Sequence, residues 1–461
     1  MSKRSPIRRG AFGRSLAVSL AGARAGGAFA FDSALRKLRG EQAGNADLLR
    51  REAGRFAASL GELKGSYVKI GQIFALLGEH FLPEPLTTAF HRLESETKPV
   101  DWYHMAPVFE DALGSKLAAL TIDPQPLAAA SLAQVHRATI VATGQQVVVK
   151  GQYPELAALL DEDFDAVVRM LRLARWLPAR REFDAWLETM RAQLHAEIDY
   201  PRELEMARRM QMAFAQNSGL CELATTVQLP TYHDGFCTQN VLTMDYLAGD
   251  RVGSEAVAKF PQTVRNDLGK AMLQLFFVEV FELGLMQSDP NFGNYLIGDA
   301  GQRLSLLDFG SVLELDPAMR KALMDTIVAG HHGNDDALVD ALIRLGCLRE
   351  DSDDYARDTF KEFIAHLLEP LGHPDDLPKA FLNASGEYQW GKSGLLTRVG
   401  KKVASSVASR HFTIPAGDFA LIARKLTGVF TFIAVLEAEF NAWDLIQPFM
   451  QAANIPLETE Q

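Results

Sequence analysis

The spacing of apolar residues predicts helices at the start of the chain. Apolar side chains recur at three- and four-residue steps through residues 44–80, which is typical of the buried face of a helix. Pro83 and Pro85 follow, so we expect this helix to end before them. Shorter segments of the same pattern fill residues 86–122. Pro124 and Pro126 then interrupt the pattern and indicate the end of an N-terminal helical extension.

The pattern changes after these two prolines. Residues 135–141 and 145–150 are rich in β-branched side chains and flank Gly144, so they predict a β-hairpin. Helical spacing returns at 155–177 and 183–215.

Two further strands are predicted at 226–233 and 239–247. Residues after 262 are mainly helical, apart from short strand-like pieces near 295–297 and 304–308. A small β-rich block followed by a helical block predicts an α+β fold with two lobes.

Composition and charge narrow the class of protein. The chain has 461 residues, of which 48% are hydrophobic and 23% charged, and this is ordinary for a globular protein of several domains. Its three cysteines are too few for a disulfide framework or a multi-cysteine zinc site. The net charge of −11 divides into +7 in residues 1–50 and −18 in the remainder. An acidic body does not suit general nucleic-acid binding, which needs phosphate neutralisation.

The basic head contains a Gly/Ala-rich apolar stretch at residues 15–31, interrupted by Arg24. A spanning helix needs about 20 apolar residues, and a central arginine costs about 2.5–3.5 kcal/mol on insertion scales. We therefore expect a peripheral membrane contact, a flexible tail or an organelle transit peptide. The apolar run at 426–436 is too short to span a membrane and predicts a buried core helix.

Residues 285–310 carry the sharpest chemical signal. Asp289 is followed five residues later by Asn294, and Asp308 opens an Asp-Phe-Gly sequence after a predicted strand. In phosphoryl-transfer sites an Asp in the first position orients or deprotonates a hydroxyl, while the Asn and the second Asp hold Mg²⁺. We therefore predict Asp289 as a catalytic residue and Asn294 and Asp308 as metal ligands. Loop carboxylates with ordinary turn chemistry are the alternative.

Lys150 ends a predicted strand, where a lysine can bind the α- and β-phosphates of a nucleotide. An ordinary edge-strand lysine would fit the same position. A small-residue turn precedes the strand, at the place of a kinase glycine-rich loop. Backbone N–H groups there could face phosphates, although Cβ atoms limit positive φ and close approach. The four candidate nucleotide-binding residues of this turn are Ala128, Ala129, Ala130 and Ser131.

Segment 243–247 lies between the last strand of the small lobe and the helical block. A hinge in that place would present its backbone to the edge of an adenine ring. Met244 and Tyr246 are therefore candidate nucleotide contacts, and Val148 and Leu306 would add apolar walls.

Two further motifs carry charge. Glu197, in the predicted helix 183–215, could pair with Lys150 and position it, or could lie on a solvated helix face. Lys69 and Gln72 share one face of the first predicted helix. Gly71 between them costs about 1 kcal/mol in a helix interior, which favours close packing there. The residues alone leave Lys69 and Gln72 open as an ordinary surface pair.

Taken together, these motifs resemble the UbiB-type, or AarF-domain, family of atypical protein-kinase-like proteins. The resemblance covers about residues 45–320. It is carried by Lys69-x-Gly71-Gln72, Ala128-Ala129-Ala130-Ser131, Lys150 with Gln152-Tyr153-Pro154, Glu197-x-Asp199, Asp289-Pro290-Asn291-x-x-Asn294 and Asp308-Phe309-Gly310.

The resemblance implies a protein-kinase-like fold that binds ATP (or ADP) and Mg²⁺ and supports the biosynthesis of ubiquinone or related prenyl lipids. It implies that the helix with Lys69 covers the place of a protein substrate near Glu197 and Asp199, so Lys69 and Glu197 count among the catalytic residues. It also implies that the alanine-rich turn shifts nucleotide handling away from ordinary protein phosphorylation.

Two departures from protein kinases agree with that shift. Gln287 and Ser288 stand where protein kinases have His and Arg. Only a few residues separate Gly310 from the next predicted helix at 317–328, so a long activation segment has no room.

We therefore expect four segments: a basic head (1–43), an N-terminal helical extension (44–125), a kinase-like N-lobe (126–247) and a helical C-lobe (248–461). The expected function is an atypical kinase or ATPase in the cytoplasm at the inner membrane, or in the mitochondrial matrix. Its expected partners are a nucleotide, a membrane lipid or quinone precursor and ubiquinone-biosynthesis proteins, with no nucleic acid. A small-molecule phosphotransferase of the aminoglycoside or choline kinase type and a nucleotide-sensing scaffold without turnover are the alternatives.

Overall fold

The computed structural model describes residues 46–63, 66–77, 84–91, 99–173, 176, 181–216, 221–395, 397–398 and 417–453. The predicted basic head, residues 1–43, lies outside the described residues. The chain divides into two compact units. The first comprises Met1–Leu204 and Thr231–Tyr246, and the second Glu205–Pro230 and Leu247–Gln461. The four expected segments stay a prediction.

The helices and strands are numbered in chain order. The helices of the first part are α1 (Ala46–Leu63), α2 (Ser66–Leu77), α3 (Glu84–His91), α4 (Trp102–Leu113), α5 (Leu156–Leu173), α6 (Arg181–Ala196) and α7 (Tyr200–Gln216). The later helices are α8 (Cys221–Thr226), α9 (Glu255–Ala258), α10 (Gln262–Phe277), α11 (Pro317–His331), α12 (Asp335–Arg344), α13 (Asp354–Leu368), α14 (Gly417–Val435) and α15 (Trp443–Ala453). The strands are β1 (Leu120–Ala129), β2 (Ala133–Ile140), β3 (Gln146–Gln152), β4 (Val227–Gln228), β5 (Val241–Asp245), β6 (Leu285–Gln287), β7 (Tyr295–Gly298), β8 (Arg303–Leu306) and β9 (Val312–Glu314).

The N-terminal helices pack on α5 and α6 in one apolar core. Phe74 of α2 stacks on Phe164 of α5 with ring centroids 6.0 Å apart, and Phe56 of α1 meets Trp176 edge-on at 5.6 Å. Large buried rings of this kind dominate the energetics of a core. The buried Ser66 hydroxyl also donates a hydrogen bond to the Asp163 carboxylate. This core therefore fixes α2, which carries Lys69, against α5.

The predicted helix over 44–80 is wrong in one respect, because the segment holds the two helices α1 and α2. The prediction that the helix ends before Pro83 and Pro85 is confirmed, since α2 ends at Leu77. Pro85 lies in the first turn of α3, where a missing N–H breaks no helical hydrogen bond.

The sheet of the first unit is antiparallel, with strand order β1-β2-β3-β5. The predicted hairpin is confirmed as β2 and β3, and the connecting Gly144 has φ +72°, which glycine adopts readily. Pro124 and Pro126, where the sequence pattern predicted a boundary, both lie inside β1. This strand is at the sheet edge and shifts register on either side of Pro126, which is where strands tolerate proline.

The helix predicted over 183–215 is two helices, α6 and α7, separated by a turn at 197–199. Glu197 and Asp199 therefore lie in this turn and not inside a helix. The Asp199 carboxylate accepts a hydrogen bond from Arg202 N at 3.1 Å, so it caps the start of α7.

The second unit combines helices with two small sheets, one ordered β4-β8-β7 and one pairing β6 with β9. The strand-like pieces near 295–297 and 304–308 are confirmed as β7 and β8, whereas β6 and β9 were not predicted. Of the strand predicted over 226–233, only β4 forms, and it pairs in parallel with β8.

The predicted helix at 317–328 is confirmed as α11, whose N-cap Asp316 accepts from Ala318 N and Met319 N. The predicted core helix at 426–436 is confirmed within α14, where Val429, Phe430, Phe432 and Ile433 are buried. In the part of the chain that the structure describes, no helix combines the length and the hydropathy needed to cross a membrane.

Candidate nucleotide and magnesium site

Lys150 is positioned by a buried ion pair. It lies on β3 opposite Leu242 of β5, and its Nζ is 3.0 Å from each carboxylate oxygen of Glu203 in α7. The Glu203 side chain is only 2% exposed. The predicted pairing of Lys150 with Glu197 is therefore wrong. Glu203 lies buried in the first turn of α7, whereas Glu197 lies before the helix begins.

Glu197 pairs with the other motif lysine. Lys69 Nζ lies 2.5 Å from Glu197 Oε1, and both side chains are partly buried. Gln152, two residues after Lys150, donates from Nε2 to the Ile198 carbonyl at 2.6 Å. The turn at 197–199 is thus held by α2 on one side and by the end of β3 on the other. The structure brings Lys69 and Glu197 together, as the family resemblance implies.

The alanine-rich turn connects two strands. Ala128 and Ala129 end β1, and Ala130 and Ser131 lead into β2, with Ala130 N donating to Ala133 O at 2.8 Å. The phenol of Tyr153 donates to the Ala130 carbonyl at 3.0 Å, and burial raises the pKa of this phenol. Tyr153, three residues after Lys150, therefore helps to fix the turn.

The predicted hinge contacts, Met244 and Tyr246, lie at the end of β5. Met244 is buried directly opposite Val148 of β3, so two of the predicted apolar walls are neighbours on adjacent strands. The Tyr246 hydroxyl accepts a hydrogen bond from Arg137 at 2.6 Å, and the guanidinium lies 4.3 Å from the ring centre. The third predicted wall, Leu306, is buried in the second unit. Roles of these residues in nucleotide binding stay predictions.

Asp289 and Asn294 lie in the loop between β6 and β7 and contact each other. Asn294 Nδ2 donates to Asp289 Oδ2 at 2.9 Å, which leaves the amide oxygen Oδ1 of Asn294 directed elsewhere. Asp308 follows β8, and its carboxylate accepts from Gly310 N at 2.9 Å. Leu307 N also donates to Asn294 O at 2.9 Å. Because β7 and β8 are antiparallel, Asn294 and Asp308 leave the sheet at the same end.

Two adjacent cations of α14 were missed from the sequence. An Arg424 nitrogen lies 3.5 Å from Asp289 Oδ1. Lys425, 1% exposed, donates to Gln287 Oε1 at 2.8 Å and to the Tyr295 hydroxyl at 2.6 Å. A usable signal was present, since Lys425 shares the apolar face of α14 with the buried Ile422 and Val429.

Glu279 completes this buried cluster. One carboxylate oxygen lies 3.8 Å from Lys425 Nζ, and the residue is fully buried. Burial raises the pKa of Glu279 to about 7, although the charge of Lys425 acts in the opposite direction. The pKa of Lys425 is raised by the neighbouring Tyr295 and Glu279, against the effect of its own burial.

The residues fit the expected cofactors in chemical type. Among the described residues, no three His, Cys, Asp or Glu side chains come together to hold a metal. Mg²⁺, however, is commonly held by one or two side chains together with nucleotide phosphates and waters. The amide oxygen of Asn294 and the carboxylate of Asp308 are hard oxygen ligands of that kind. The ammonium of Lys150 suits the phosphates.

The comparisons with known proteins agree with the motifs. The family model described as ABC1 atypical kinase-like domain matches residues 92–342, which is more than half of the chain. The chain therefore belongs to the ABC1 family of atypical kinase-like proteins, that is, the UbiB family, and the resemblance is confirmed.

Relatives in eukaryotes carry related names. The chain is 25% identical over 394 residues to "Atypical kinase COQ8, mitochondrial" of Schizosaccharomyces pombe, covering 85% of this chain and 61% of that protein. It is 27% identical over 404 residues to "Atypical kinase COQ8B, mitochondrial" of Rattus norvegicus, covering 87% of this chain and 72% of that protein. The chain thus spans less than two thirds of the length of the fission-yeast protein.

A solved structure is similar in fold. The Mycobacterium tuberculosis protein in the complex Rv3197-erythromycin superposes with a TM-score of 0.60 at 21% identity, covering 89% of this chain and 98% of that one. With the family match, this confirms the α+β protein-kinase-like fold predicted from the sequence.

Proposed function

We propose that the protein is an atypical kinase or ATPase that binds ATP and Mg²⁺. The observation that carries the proposal is the buried pair of Lys150 and Glu203. A glutamate that is 2% exposed holds the lysine ammonium at the end of β3, beside the turn that would face the phosphates. Kinase-like sites use a lysine held in this way to bind nucleotide phosphates.

Each polar residue has a role in this proposal. Lys150 binds phosphate oxygens, and Asn294 and Asp308 hold Mg²⁺. When bound, Mg²⁺ would neutralise charge on the phosphates of the nucleotide. Asp289, held by Asn294 and approached by Arg424, orients the attacking hydroxyl or water.

The acceptor and the location belong to the same proposal. Relatives named COQ8 support a role in the biosynthesis of ubiquinone or a related prenyl lipid. We propose that the protein works at the inner membrane, from the cytoplasm or the mitochondrial matrix, with a membrane lipid, a quinone precursor or biosynthetic proteins as partners. The ion pair of Lys69 and Glu197 ties α2 to the turn where the resemblance implies a blocked protein substrate, which favours ATP hydrolysis or lipid-linked turnover over peptide phosphorylation.

The test measures Mg²⁺-dependent ATP hydrolysis by the purified full chain, with and without anionic liposomes and phenols that mimic a quinone precursor. Asp308→Asn and Lys150→Ala are compared with Lys361→Met, a control lysine whose partners Asp335 and Asp358 have exposed side chains. The proposal expects turnover stimulated by liposomes, lost in the first two variants and kept in the control.

Two results would overturn the proposal. Turnover only with a soluble hydroxylated acceptor would indicate a small-molecule phosphotransferase. Nucleotide binding without turnover under every condition would indicate a sensing scaffold.

A further inference from the structure

The loop that carries Asp289 and Asn294 is held at both of its ends by buried hydrogen bonds. Gln287 ends β6 just before the loop, and Tyr295 begins β7 directly after it. Both residues are buried, and both side chains meet the same atom, Lys425 Nζ, at 2.8 Å and 2.6 Å. One ammonium group from α14 therefore joins the two ends of the loop.

Further contacts of α14 support this arrangement. Arg424, the preceding residue, reaches Asp289, and Gly428 lies one turn later against Pro290. A Cβ atom added at Gly428 would collide with Pro290 Cβ, so the helix backbone directly contacts the loop. Residues at positions i, i+1 and i+4 of a helix share one side of it. This side of α14 thus faces the loop.

Burying the ammonium group of Lys425 costs free energy, so a lysine at this position needs an explanation. Removing an ammonium group from water is unfavourable, and an apolar residue of similar volume often serves stability as well or better. Here Lys425 is 1% exposed, and its nearest carboxylate, Glu279, is 3.8 Å away, beyond hydrogen-bond distance. Its short contacts are to the neutral oxygens of Gln287 and Tyr295. The hydrogen bonds from Lys425 to Gln287 and Tyr295 explain why a lysine stands at this position.

We propose that Lys425 is a positioning residue that fixes the loop 288–294, and with it Asp289 and Asn294, through hydrogen bonds to Gln287 and Tyr295. The sequence around the loop gives this role a context. Gln287 and Ser288 replace the His and Arg of protein kinases, so the chain supplies a cation to this loop from a helix more than a hundred residues later. The proposal rests on the proposed function only for what Asp289 and Asn294 do.

The first test follows hydrogen exchange by mass spectrometry in the full chain. Lys425→Met fills a similar volume without a charge, and Lys361→Met is the matched control, a helical lysine of the same unit that pairs with exposed carboxylates. Charged hydrogen bonds of this kind hold a loop closed by a factor of about ten or more, so exchange in 288–294 is expected to become about tenfold faster in Lys425→Met. The control should exchange like the wild type. Unchanged exchange in 288–294 of a folded Lys425→Met protein would overturn the proposal.

A milder variant keeps the proposal testable if Lys425→Met does not fold. Tyr295→Phe keeps the buried ring and removes only the hydroxyl that accepts from Lys425. We expect exchange in the loop to rise about fivefold, since one anchor remains. Exchange equal to that of the wild type would contradict the proposal that Lys425 fixes the loop.

Kinetics separate positioning from substrate binding. With turnover in the wild type, Lys425→Met should lower kcat about tenfold and change KM for ATP less than kcat, because Asp289 and one metal ligand, Asn294, lie in the loop, whereas Lys150 and Asp308 lie outside it. A rise in KM with unchanged kcat would overturn the positioning role. Absence of turnover in the wild type would remove the proposed function, and hydrogen exchange would still decide whether Lys425 fixes the loop.

Discussion

Lys150 and Glu203 are joined by two hydrogen bonds of 3.0 Å, whereas Glu197, six residues before Glu203, is joined to Lys69. The two ion pairs connect different elements. One links β3 to the first turn of α7, and the other links α2 to the turn that precedes α7. A single stretch of seven residues therefore holds both motif lysines. The two glutamates consequently have separate roles, which mutations can distinguish.

Replacing Glu203 by Gln is expected to lower kcat/KM for ATP about tenfold to hundredfold, because a charged hydrogen bond to Lys150 becomes a neutral one. Glu205→Gln is the control, since Glu205 is exposed two residues along the same helix. Steady-state hydrolysis checks the prediction. A Glu203→Gln enzyme as active as the Glu205→Gln control would show that the pair does not position Lys150.

Releasing the other ion pair should have the opposite effect. Lys69→Ala and Glu197→Ala each break the 2.5 Å contact that holds α2 to the turn at 197–199. A partly buried pair is worth about 1 kcal/mol, so autophosphorylation should rise about fivefold in both variants. Incorporation of labelled phosphate from ATP measures the change.

The control for this prediction is Arg172→Ala, which breaks an exposed ion pair with Asp184 in the same unit. It should leave autophosphorylation at the wild-type level. No rise in either Lys69→Ala or Glu197→Ala would contradict the idea that α2 blocks a substrate.

The loops with chemistry were easier to predict than the packing around them. Asp289, Asn294 and Asp308 stand in a fixed spacing around two short strands, and the structure brings them to one end of β7 and β8. Spacing of this kind is local and therefore visible in a sequence. The partner of Lys150 was not visible in the sequence. The predicted helix breaks between α6 and α7, so Glu197 lies in the turn, and the buried Glu203 pairs with Lys150 instead.

The other misses have the same physical origin. Pro124 and Pro126 end a helix in isolation, but here they lie on an edge strand whose register shifts accommodate them. Lys425 flanks an apolar run, and its spacing from Ile422 and Val429 indicates the buried face of the helix but not the groups that it meets there. Only the tertiary fold shows that Gln287 and Tyr295 meet it in the interior.

The titration of Glu279 gives a prediction for the dependence of stability on pH. Its pKa is raised from about 4.5 in the unfolded chain to about 7 in the folded protein, so its contribution to stability is complete below pH 4.5 and is lost as the pH rises through 7. Glu279→Gln cannot titrate. The free energy of unfolding of the wild type should therefore fall relative to this variant, by up to about 3 kcal/mol, between these pH values.

Urea unfolding at a series of pH values between 4.5 and 8 measures this difference. The charge of Lys425 adds a constant term in that range, since the pKa of Lys425 is raised above its ordinary value. Glu362→Gln, an exposed residue of α13, should follow the wild-type curve, apart from a small constant offset. Parallel curves for wild type and Glu279→Gln would show that Glu279 does not titrate in this interval.

Two helical glycines make a matched pair for the contact between α14 and the loop. A Cβ atom at Gly428 would collide with Pro290 Cβ, whereas one at Gly54 in α1 would meet nothing within 4 Å. Gly54→Ala should stabilise the protein by up to about 1 kcal/mol, because alanine is the better helix former. Gly428→Ala gains the same helical preference but must push α14 away from Pro290, and overpacking costs about 1–3 kcal/mol. We therefore expect Gly428→Ala to be the less stable of the two by chemical denaturation and to lower turnover by displacing Asp289. Equal stabilisation by both substitutions would show that α14 and Pro290 are not in direct contact.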